Sequence, residues 1–575
     1  MPEAFSLARR AWVPVVLFNG QRERVRLCDI ASDIKGHPIS RVSTGRADCD
    51  VSLMEFLIGL LAVTMGPEDE HEWRDRYRSP PDAAAIDAAF APFADALNLD
   101  GNGPRLFQDY EDLGDDATPV EALFIDAPGA NAVKENADHF VKRERTTMLS
   151  RAGAAIALLT LQTMAPAGGA GHRTSLRGGG PLTTLIEPPR DATSSEPTLW
   201  QRIWLNVPPD LRGSPKEAKL IFPWVGPTRT SNPKEKGETT TPDHVHKAHA
   251  FFGMPRRIRL IFEPNADRRP CDLTGEIDDV IVRSYVTRPW GTNYAGWSQG
   301  HPLSPYYRVK KGDPELLPVH LQSSRIGYRQ WLGLVSGRNG SDRLAAAIVQ
   351  EYRSRRARLI TDVDQPVTHL SASGYALDKM KPLDFGEASV PLLATGSPAT
   401  DSDLDNRAAT MIGAAEIAAS QLVNSARRAI YGEKSKADRD TSVLIAVANR
   451  FWSETEPAFF ATTMDVAKCV AEAGEDLDDK RTEITTATGT AWIDAMRRVA
   501  LPIFDDTAPI DDAEGERIVD VIEGRKSLSM MFRGHNKSGR ELFGAFALAP
   551  PDASNAKRGT GKAGSGTASP RRAKK

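Results

Sequence analysis

Paired cysteines and long apolar runs are both missing from this sequence. Its 575 residues include four cysteines, Cys28, Cys49, Cys271 and Cys469, and no two of them form a Cys-x-x-Cys pair. A disulfide framework and a cysteine zinc ribbon are therefore not expected, and the thiols are predicted to be buried and free. No stretch approaches the roughly 18 consecutive apolar residues of a membrane helix. The N-terminal Met-Pro-Glu-Ala-Phe lacks the charged-then-apolar order of a signal peptide, so we expect a soluble, cytoplasmic protein without a membrane partner.

Sequence motifs for nucleotide binding and nucleophilic catalysis are missing as well. GxxxxGKS/T and GxSxG do not occur, and no GxGxxG follows a clear strand, so neither a P-loop nor a nucleophile elbow is predicted. The run Asp243-His244-Val245-His246-Lys247-Ala248-His249 does contain metal-binding side chains. His244 and His246 would share one face of a strand, but no second cluster with ligand spacing accompanies them, so polar packing is favoured. No metal and no cofactor are expected.

Positive charge is concentrated at the C-terminus. The last 27 residues, from Ala549, hold seven Lys or Arg and one Asp, a net of +6, and the other 548 residues therefore carry −9. An acidic body cannot attract nucleic acid through its overall field, so such contacts have to come from local basic patches. The densest basic run is Arg353, Arg355, Arg356 and Arg358, and it is as compatible with a solvated helix face as with a phosphate track.

The composition predicts an α+β protein made of three segments. Residues 1–400 are interpreted as a large mixed α/β domain, 401–548 as a four-helix bundle, and 549–575 as a disordered basic tail. The bundle begins with an Ala-rich amphipathic stretch, 407–431, which stops at Gly432. Similar helical stretches follow at about 440–473, 478–501 and 512–533.

Turn residues and apolar patterns predict individual elements in the mixed region. Asn19-Gly20 between the apolar runs 12–18 and 21–27 predicts a β-hairpin. Asp50 is predicted to cap a helix over 51–58. Further helices are expected at 81–97 and 152–164, strands at 219–225, 257–263 and 280–287, and an exposed loop at 228–242.

The segment from Ala165 to Pro181 is the most informative part of the chain. It contains six glycines in 17 residues, together with His172, Arg173 and Arg177. Glycine lets the backbone come close to another surface, and backbone amides combined with arginines favour phosphate. From the residues alone, a ligand-facing loop and a tightly packed structural turn remain equally open.

A set of short blocks, taken in order, resembles the CasA family, the large subunit of the type I-E CRISPR Cascade complex. The helical C-terminal third also fits the bundle expected for that family. One block would be a weak signal, whereas the ordered set is specific. The blocks are Trp12-Val13-Pro14-Val15, Asp138-His139-Phe140-Val141-Lys142-Arg143, the glycine segment, residues 250–259, 293–297 and 301–305, Gly374-Tyr375 and Met380-Lys381.

The resemblance implies a binding protein and not an enzyme. Members of the family sit at one end of a crRNA-guided complex and recognise the short target-adjacent motif (PAM) in double-stranded DNA, largely from the minor groove. They start duplex opening and later recruit the helicase-nuclease. The implied partners are therefore the DNA target, the crRNA, the backbone and small subunits of Cascade, and the helicase-nuclease.

The resemblance also assigns residues by position. The implied DNA- and PAM-binding residues are Ala167, Gly168, Gly169, Ala170 and Gly171 in a glycine loop, and Asp378, Lys379 and Met380 at the tip of a hairpin that wedges into the duplex. The position of a family lysine is open among Arg283, Arg288 and Trp290, of which we choose Arg288. Some members have glutamine where Lys379 aligns, which leaves the preferred motif open.

A loop at about 126–145, which we call the guide-proximal loop, is implied to reach the crRNA end and the motif-proximal DNA. Its implied contact residues are Asn131, Lys134, Lys142 and Arg143. Some family members carry paired zinc cysteines beside this loop. This chain has Met148-Leu149-Ser150 at the first position and only Cys271 at the second, so no zinc is predicted.

Two other functions remain open at this stage. A nucleotide- or metal-dependent hydrolase would use the glycine-rich loop with Asp243, His244, His246 and His249. A purely structural scaffold subunit would tolerate Gly169→Asp and Lys379→Ala without losing target binding.

Overall fold

The computed structural model describes ten stretches of the chain and divides it into two compact units. The described residues are 4–136, 143–169, 171–189, 196–298, 300–310, 315–322, 326–336, 342–360, 367–432 and 441–549. The first unit comprises residues 1–326 with 330–402, and the second comprises 327–329 with 403–575. The first unit mixes strands with helices and the C-terminal part is helical, which confirms the predicted α+β class. Except for its first residue, the tail predicted at 549–575 lies outside the described residues.

The described part of the first unit contains five small sheets. The strands are β1 Val13–Leu17, β2 Arg22–Val25, β3 Asp33–Ile34, β4 His37–Val42, β5 Ala117–Pro119, β6 Leu149–Ser150, β7 Thr183–Glu187, β8 Thr239–Thr240, β9 Arg257–Pro264, β10 Val280–Arg288, β11 Asn293–Tyr294, β12 Tyr306–Arg308, β13 Leu316–Pro318, β14 Arg343–Leu344, β15 Val367–Asp378 and β16 Lys381–Leu393. The orders are β2-β1-β4-β3, β5-β10-β6 with β9 also on β10, β11-β8, β13-β12-β14 and β16-β15-β7. Only the β11-β8 pair is parallel among them.

Helices occur throughout the chain. They are α1 Ala47–Met65, α2 Glu70–Arg78, α3 Ala83–Phe90, α4 Ala130–Lys134, α5 Arg151–Met164, α6 Leu199–Trp204, α7 Ala218–Ile221, α8 Tyr328–Val335, α9 Ala347–Glu351, α10 Ala357–Ile360, α11 Pro398–Tyr431, α12 Thr441–Ala473, α13 Leu477–Thr507, α14 Glu516–Met531 and α15 Lys537–Gly544. None of the described helices combines the length and the apolar character that a membrane crossing requires.

Helix α1 forms the centre of the first unit. It is buried along almost its whole length, and it packs so closely that a Cβ added to Gly59 would lie 2.5 Å from Phe251 Cβ. The helix begins at Ala47, so the prediction that Asp50 caps it was wrong. Asp50 lies inside the first turn, where its carboxylate accepts the Thr44 amide at 2.6 Å. A short acidic side chain can satisfy the turn before a helix as well as the helix end itself, and the sequence does not distinguish the two.

Most other local predictions for the first unit are confirmed. The hairpin around Asn19-Gly20 is formed by β1 and β2, and the helix predicted at 152–164 is α5, capped by Ser150. The strand predicted at 219–225 was wrong, because this run forms α7 and a 3-10 turn at Pro223–Val225. Proline cannot donate to a sheet ladder, and a capping box just upstream starts the helical turn instead.

Four long helices, α11 to α14, confirm the predicted helical bundle of the C-terminal unit. Helix α11 ends at Tyr431, and Gly432 follows with φ +77°, the conformation expected of a glycine stop. Small residues on α11, such as Ala418, are fully buried and allow close packing. The Trp492 indole donates to the Met411 carbonyl oxygen at 2.9 Å, which ties α13 to α11.

The four cysteines do not share one environment. Cys28, Cys49 and Cys271 are buried as predicted, whereas Cys469 is exposed. The prediction was wrong for Cys469 because it faces outward on α12, whose inward side carries Val466 and Val470.

Candidate nucleic-acid interface

The glycine loop, residues 167–171, is a tight turn just beyond the C-terminus of α5. The Gly168 amide donates to the His172 carbonyl oxygen at 3.3 Å, and the His172 amide donates to the Gly169 oxygen at 2.7 Å. The first three residues of the loop are exposed and its last is half-buried, while Ala170 lies outside the described residues. The turn therefore presents main-chain atoms at the surface.

The described glycines of the loop differ in what surrounds them. A Cβ at Gly168 would lie 2.5 Å from Arg256 Nη1, and one at Gly171, where φ is +85°, would lie 2.9 Å from the Trp290 ring. Gly169 also has a positive φ, +69°, but no atom lies within 4 Å of its Cβ position. Gly168 and Gly171 are thus needed for packing, while Gly169 faces open space that a ligand can enter.

A buried cation lies behind the loop. Arg256 is 8% exposed and donates through Nη2 to the Pro166 carbonyl oxygen. Its Nε has no hydrogen-bond partner, and no ion pair joins it to a carboxylate among the described residues. Burial lowers the pKa of Arg256 to about 10, so the guanidinium remains charged at neutral pH. An uncompensated cation behind exposed amides creates a potential that attracts phosphate.

Trp290 and Arg173 hold the other side of the loop. The Trp290 amide donates to the Gly171 oxygen at 2.9 Å, and its φ of +65° is unusual for a bulky residue. Arg173 lies with its guanidinium carbon 5.3 Å from the Trp290 ring centroid and donates to Ser231 Oγ at 2.9 Å. The sequence does not predict that Trp290 or Arg256 lies at the glycine loop, because neither residue carries a local signal for it.

Arg177 has a different role from the one that the glycine segment suggests. Its Nη2 lies 2.6 Å from Glu55 Oε2, and both side chains are buried. Its Nη1 donates to Thr183 Oγ1 at 3.1 Å and to Ser304 Oγ at 2.9 Å. Of the two interpretations left open for the glycine segment, Arg177 therefore follows the packed structural turn, since its hydrogen bonds and its ion pair lie inside the core. It pins the second half of the glycine segment to α1 and β7.

Strands β15 and β16 form a long hairpin, which we call the wedge hairpin. The strands close with Asp378 opposite Lys381, and the two turn residues, Lys379 and Met380, have φ of +47° and +66°. Such a turn favours glycine or asparagine, so two bulky residues here are held at a cost of about 1 kcal/mol or more each. All four tip residues are exposed. A β-bulge leaves Leu383 unpaired and 58% exposed.

A glycine triplet, residues 178–180, lies between the residue that precedes the glycine loop and the wedge hairpin. A Cβ at Gly179 would lie 2.8 Å from Pro166 Cα, beside the loop, and 3.0 Å from Leu377 Cδ1, on the hairpin. At Gly180 it would lie 2.5 Å from Tyr375 Cβ. Only a glycine backbone fits between these two elements, and the separation between them is therefore about the width of one chain.

Arg288 lies at the end of β10, two residues before Trp290. Its Nη1 forms an ion pair with Asp116 Oδ2 at 2.7 Å, and the Asp116 side chain is 84% exposed. Exposed pairs of this kind contribute little, on the order of 0–1 kcal/mol. Arg288 can therefore exchange Asp116 for a phosphate at small cost.

The guide-proximal loop contains a short helix, α4, in which Asn131 and Lys134 lie. Lys134 is exposed. Arg143 is exposed as well, and its Nη2 donates to the Val133 carbonyl oxygen at 3.2 Å and to Asn136 Oδ1 at 3.0 Å. Lys142 lies outside the described residues. The two described basic side chains are thus on the surface, as a contact with RNA or DNA requires.

Two carboxylates hold the C-terminal end of this loop by its backbone. Glu121 accepts the amides of Glu144 at 3.0 Å and Arg145 at 2.9 Å. Asp272 accepts those of Thr147 at 2.7 Å and Met148 at 3.0 Å. Charge-assisted bonds to main-chain amides fix a chain strongly, so the loop leaves the body from a defined position.

The histidine cluster is dispersed in the structure. The segment Pro242–His244 is a 3-10 turn, so the prediction that His244 and His246 share a strand face was wrong; Pro242 cannot join a ladder. His249 is buried with its Nε2 3.1 Å from the Tyr294 hydroxyl. In the part of the chain that the structure describes, no three His, Cys, Asp or Glu side chains come together as metal ligands.

His249 should make the stability of the first unit depend on pH. Burial lowers its pKa to about 4, so the folded state holds a neutral imidazole that the unfolded chain protonates below about pH 6.5. Stability should therefore fall as the pH drops from 6.5 to 4, with His249 contributing up to about 1.4 kcal/mol per pH unit. Chemical unfolding of wild type and His249→Gln across this window measures it. Parallel stability curves for the two proteins would contradict the assignment.

The dense arginine run is partly structural. Arg353 and Arg356 are buried, whereas Arg355 and Arg358 are exposed. Arg356 donates to the Val207 carbonyl oxygen at 2.8 Å, and burial lowers its pKa to about 10. A continuous phosphate track is therefore not formed by this run. Trp200, Trp204, Trp224 and Trp297 are buried, whereas Trp290 at the glycine loop is half-buried.

Comparisons with known proteins identify a family and a shared fold. A family model described as CRISPR-associated protein Cse1 matches residues 6–503. The structure is similar to CasA of Thermus thermophilus, with 19% identity, a TM-score of 0.62, and coverage of 92% of this chain and 99% of that chain. It is similar to Cse1 of Thermobifida fusca, with 18% identity, a TM-score of 0.65, and coverage of 94% and 98%.

A chain from a structure described as a CRISPR RNA-guided surveillance complex also matches. Its identity is 18%, its TM-score is 0.62, and the match covers 92% of this chain and 100% of that chain. At such identities the structural matches show a shared fold, while the family model covers most of the sequence.

Proposed function

This chain belongs to the Cse1 family of CRISPR-associated proteins, also named CasA, which supplies the large subunit of type I-E Cascade, and we propose that it recognises the target-adjacent motif in double-stranded DNA and starts duplex opening. The observation that carries the proposal is the position of Gly179, whose added Cβ would meet both Pro166, the residue before the glycine loop, and Leu377 of the wedge hairpin. The element proposed to face the groove and the element proposed to open the duplex therefore lie side by side.

The glycine loop is suited to the minor groove. Gly169 is exposed with open space at its Cβ position, so main-chain atoms can approach base edges without a side chain in between. The minor groove offers a degenerate pattern of acceptors and donors, so recognition there tolerates related motifs. The charges of Arg256 and Arg173, and of Arg288 after exchange of its surface partner, add attraction to the adjacent phosphates. These local cations offset the repulsion expected from an acidic body.

The wedge hairpin is suited to separating the first base pairs. Its tip projects Lys379 and Met380 from a strained two-residue turn, and Met380 is 46% exposed. Apolar side chains that enter a base step unstack it at a cost of a few kcal/mol, which contacts elsewhere must offset. Lysine beside methionine provides a phosphate contact next to the inserted group.

The remaining partners follow from the same assignment. We propose that the guide-proximal loop contacts the crRNA end through Lys134, Lys142 and Arg143, with Asn131 on α4. The chain would bind the backbone and small subunits of Cascade and present a surface to the helicase-nuclease. The role is therefore binding in antiviral defence, and no observation favours the hydrolase alternative, because His249 packs in the core away from any metal-ligand group among the described residues.

The proposal is tested by reconstituting Cascade with and without this chain. Binding is measured on duplexes that differ only in the motif beside the target. We expect discrimination between these duplexes to vanish when the chain is omitted, at constant salt because phosphate contacts are salt-dependent. If discrimination persists without the chain, the chain is a scaffold subunit and the proposed mechanism is wrong. Metal-stimulated cleavage or nucleotide turnover by the isolated chain would instead support the hydrolase.

A further inference from the structure

We propose that Tyr375, Asp48 and Arg46 form a bridge through which the guide-proximal loop positions the wedge hairpin. The inference rests on the proposed function, and it adds that these three residues are positioning residues for duplex opening. Tyr375 lies on β15, Asp48 lies in the first turn of α1, and Arg46 is the residue just before α1.

The hairpin end of the bridge is a buried hydrogen bond. Tyr375 is 3% exposed, and its hydroxyl donates to Asp48 Oδ2 at 2.6 Å. Burial, with the nearby Asp48 charge, raises the pKa of Tyr375 above its ordinary value, so the hydroxyl keeps its proton and remains a donor. Tyr375 lies three residues before Asp378 at the tip, and its ring packs edge-on against Phe385 of the opposite strand at 4.9 Å between centroids. The bond therefore anchors both strands of the wedge hairpin.

The loop end of the bridge is a shared guanidinium. Arg46 binds Asp48 through Nη2 at 2.8 Å and through Nε at 3.1 Å. The same group binds Asp126 through Nη2 at 2.9 Å and Nη1 at 3.3 Å. Its guanidinium carbon also lies 4.7 Å from the Phe124 ring centroid. Asp126 begins the guide-proximal loop, and Arg145 at the loop's other end is 3.9 Å from it.

Arg46 thus binds both Asp48 and Asp126, and this sharing couples the wedge hairpin to the guide-proximal loop. Asp48 is 3% exposed, so it depends on Arg46 and Tyr375 to compensate its buried charge. When the loop shifts on contact with the guide, Asp126 moves relative to Arg46, and the field at Asp48 changes. The Tyr375 anchor then strengthens or weakens, and the hairpin tip is repositioned. The donors of an arginine side chain are fixed in one plane, so a movement that changes its bonds to one carboxylate also changes its bonds to the other.

The first experiment measures hydrogen exchange at the backbone amides of residues 376–384, except Pro382, in the isolated full chain. We expect Asp126→Asn, which keeps the shape and removes the charge, to speed exchange in the wedge hairpin several-fold, as does Tyr375→Phe. The double variant should be no faster than Tyr375→Phe alone. Tyr328→Phe is the matched control, because it removes a buried hydroxyl bond of 2.8 Å to Thr455 Oγ1 in the other unit, and it should leave the hairpin unchanged.

The second experiment measures duplex opening by the assembled complex, using 2-aminopurine fluorescence in the target next to the motif. We expect about a tenfold loss of opening in each single variant and no further loss in the double variant. Unchanged hairpin exchange in Asp126→Asn overturns the bridge, whatever the opening assay shows. Coupled exchange with normal opening in Tyr375→Phe overturns its role in opening while leaving motif recognition intact. Failure of the proposed function is seen separately, as motif discrimination that persists when the chain is omitted.

Discussion

Replacing Gly169 with aspartate is expected to reduce the affinity of the assembled complex for a motif-bearing duplex by about 100-fold. Gly169 is exposed, has φ +69°, and has no atom within 4 Å of its Cβ position, so the new side chain would project into the space proposed for the DNA. A carboxylate facing phosphate costs several kcal/mol, and each 1.4 kcal/mol is a factor of ten. Equilibrium binding of a labelled duplex at fixed salt measures the loss.

Gly169→Asn is the matched control for this change. Asparagine has the same size and tolerates a positive φ about as well as aspartate, but it carries no charge. The asparagine variant should lose substantially less affinity. Both variants should unfold at about the same temperature as each other, because the φ of +69° strains either side chain alike and nothing packs on this position. Equal losses in the two variants would show that bulk, and not charge, is excluded there. Wild-type affinity in both would leave the glycine loop without a role in binding.

Changing the wedge tip from Lys379-Met380 to Asn-Gly is expected to slow duplex opening at least tenfold without weakening the fold. Asn-Gly is the preferred pair for a two-residue turn with both φ positive, so the turn keeps its shape and gains about 1 kcal/mol or more from relieved strain. The lysine charge and the methionine side chain are lost, and with them the proposed stabilisation of the unstacked step. Stopped-flow 2-aminopurine fluorescence measures opening, and thermal unfolding measures stability.

Lys35→Asn provides the matched turn control. Lys35 and Gly36 join β3 to β4 with φ of +55° and +81°, so this substitution creates the same Asn-Gly turn on a different sheet. It relieves strain in its own turn, removes the largely exposed Lys35–Glu23 ion pair, and should leave opening at the wild-type rate. Normal opening by the Asn-Gly wedge variant, with motif binding retained, would mean that the hairpin backbone or Leu383 performs the separation and that the tip side chains are dispensable.

The sequence was informative wherever a feature depends on neighbouring residues. Asn19-Gly20 predicted the first hairpin, Gly432 predicted the end of α11, and the helical period predicted the bundle. These are short-range signals, since turn conformations and amphipathic faces are set within a few positions. The prediction of a strand at 219–225 was wrong because two other short-range signals, Pro223 and an upstream capping box, outweighed the apolar pattern.

The glycine segment shows what local sequence signals cannot predict, namely which of its residues face open space and which pack in the core. Its composition predicted a loop with close backbone approach, yet it could not separate Gly169, which faces open space, from Gly168 and Gly171, which pack on Arg256 and Trp290. It also could not distinguish Arg177, buried against Glu55, from Arg173 at the surface of the loop. Glycines and arginines look alike in sequence, whereas their roles depend on which distant side chains fill the space around them.

By itself, the sequence determined the fold class, the family through the order of its blocks, and the positions of the glycine loop and the wedge hairpin along the chain. Only the tertiary structure decided that Gly179 lies between Pro166, next to the glycine loop, and Leu377 of the wedge hairpin, that Arg256 lies behind the loop, and that Tyr375 reaches Asp48 across 327 positions. Contacts at such separations follow from the packing of the whole core around α1. No local propensity encodes them, because many residues together fix which side chains meet.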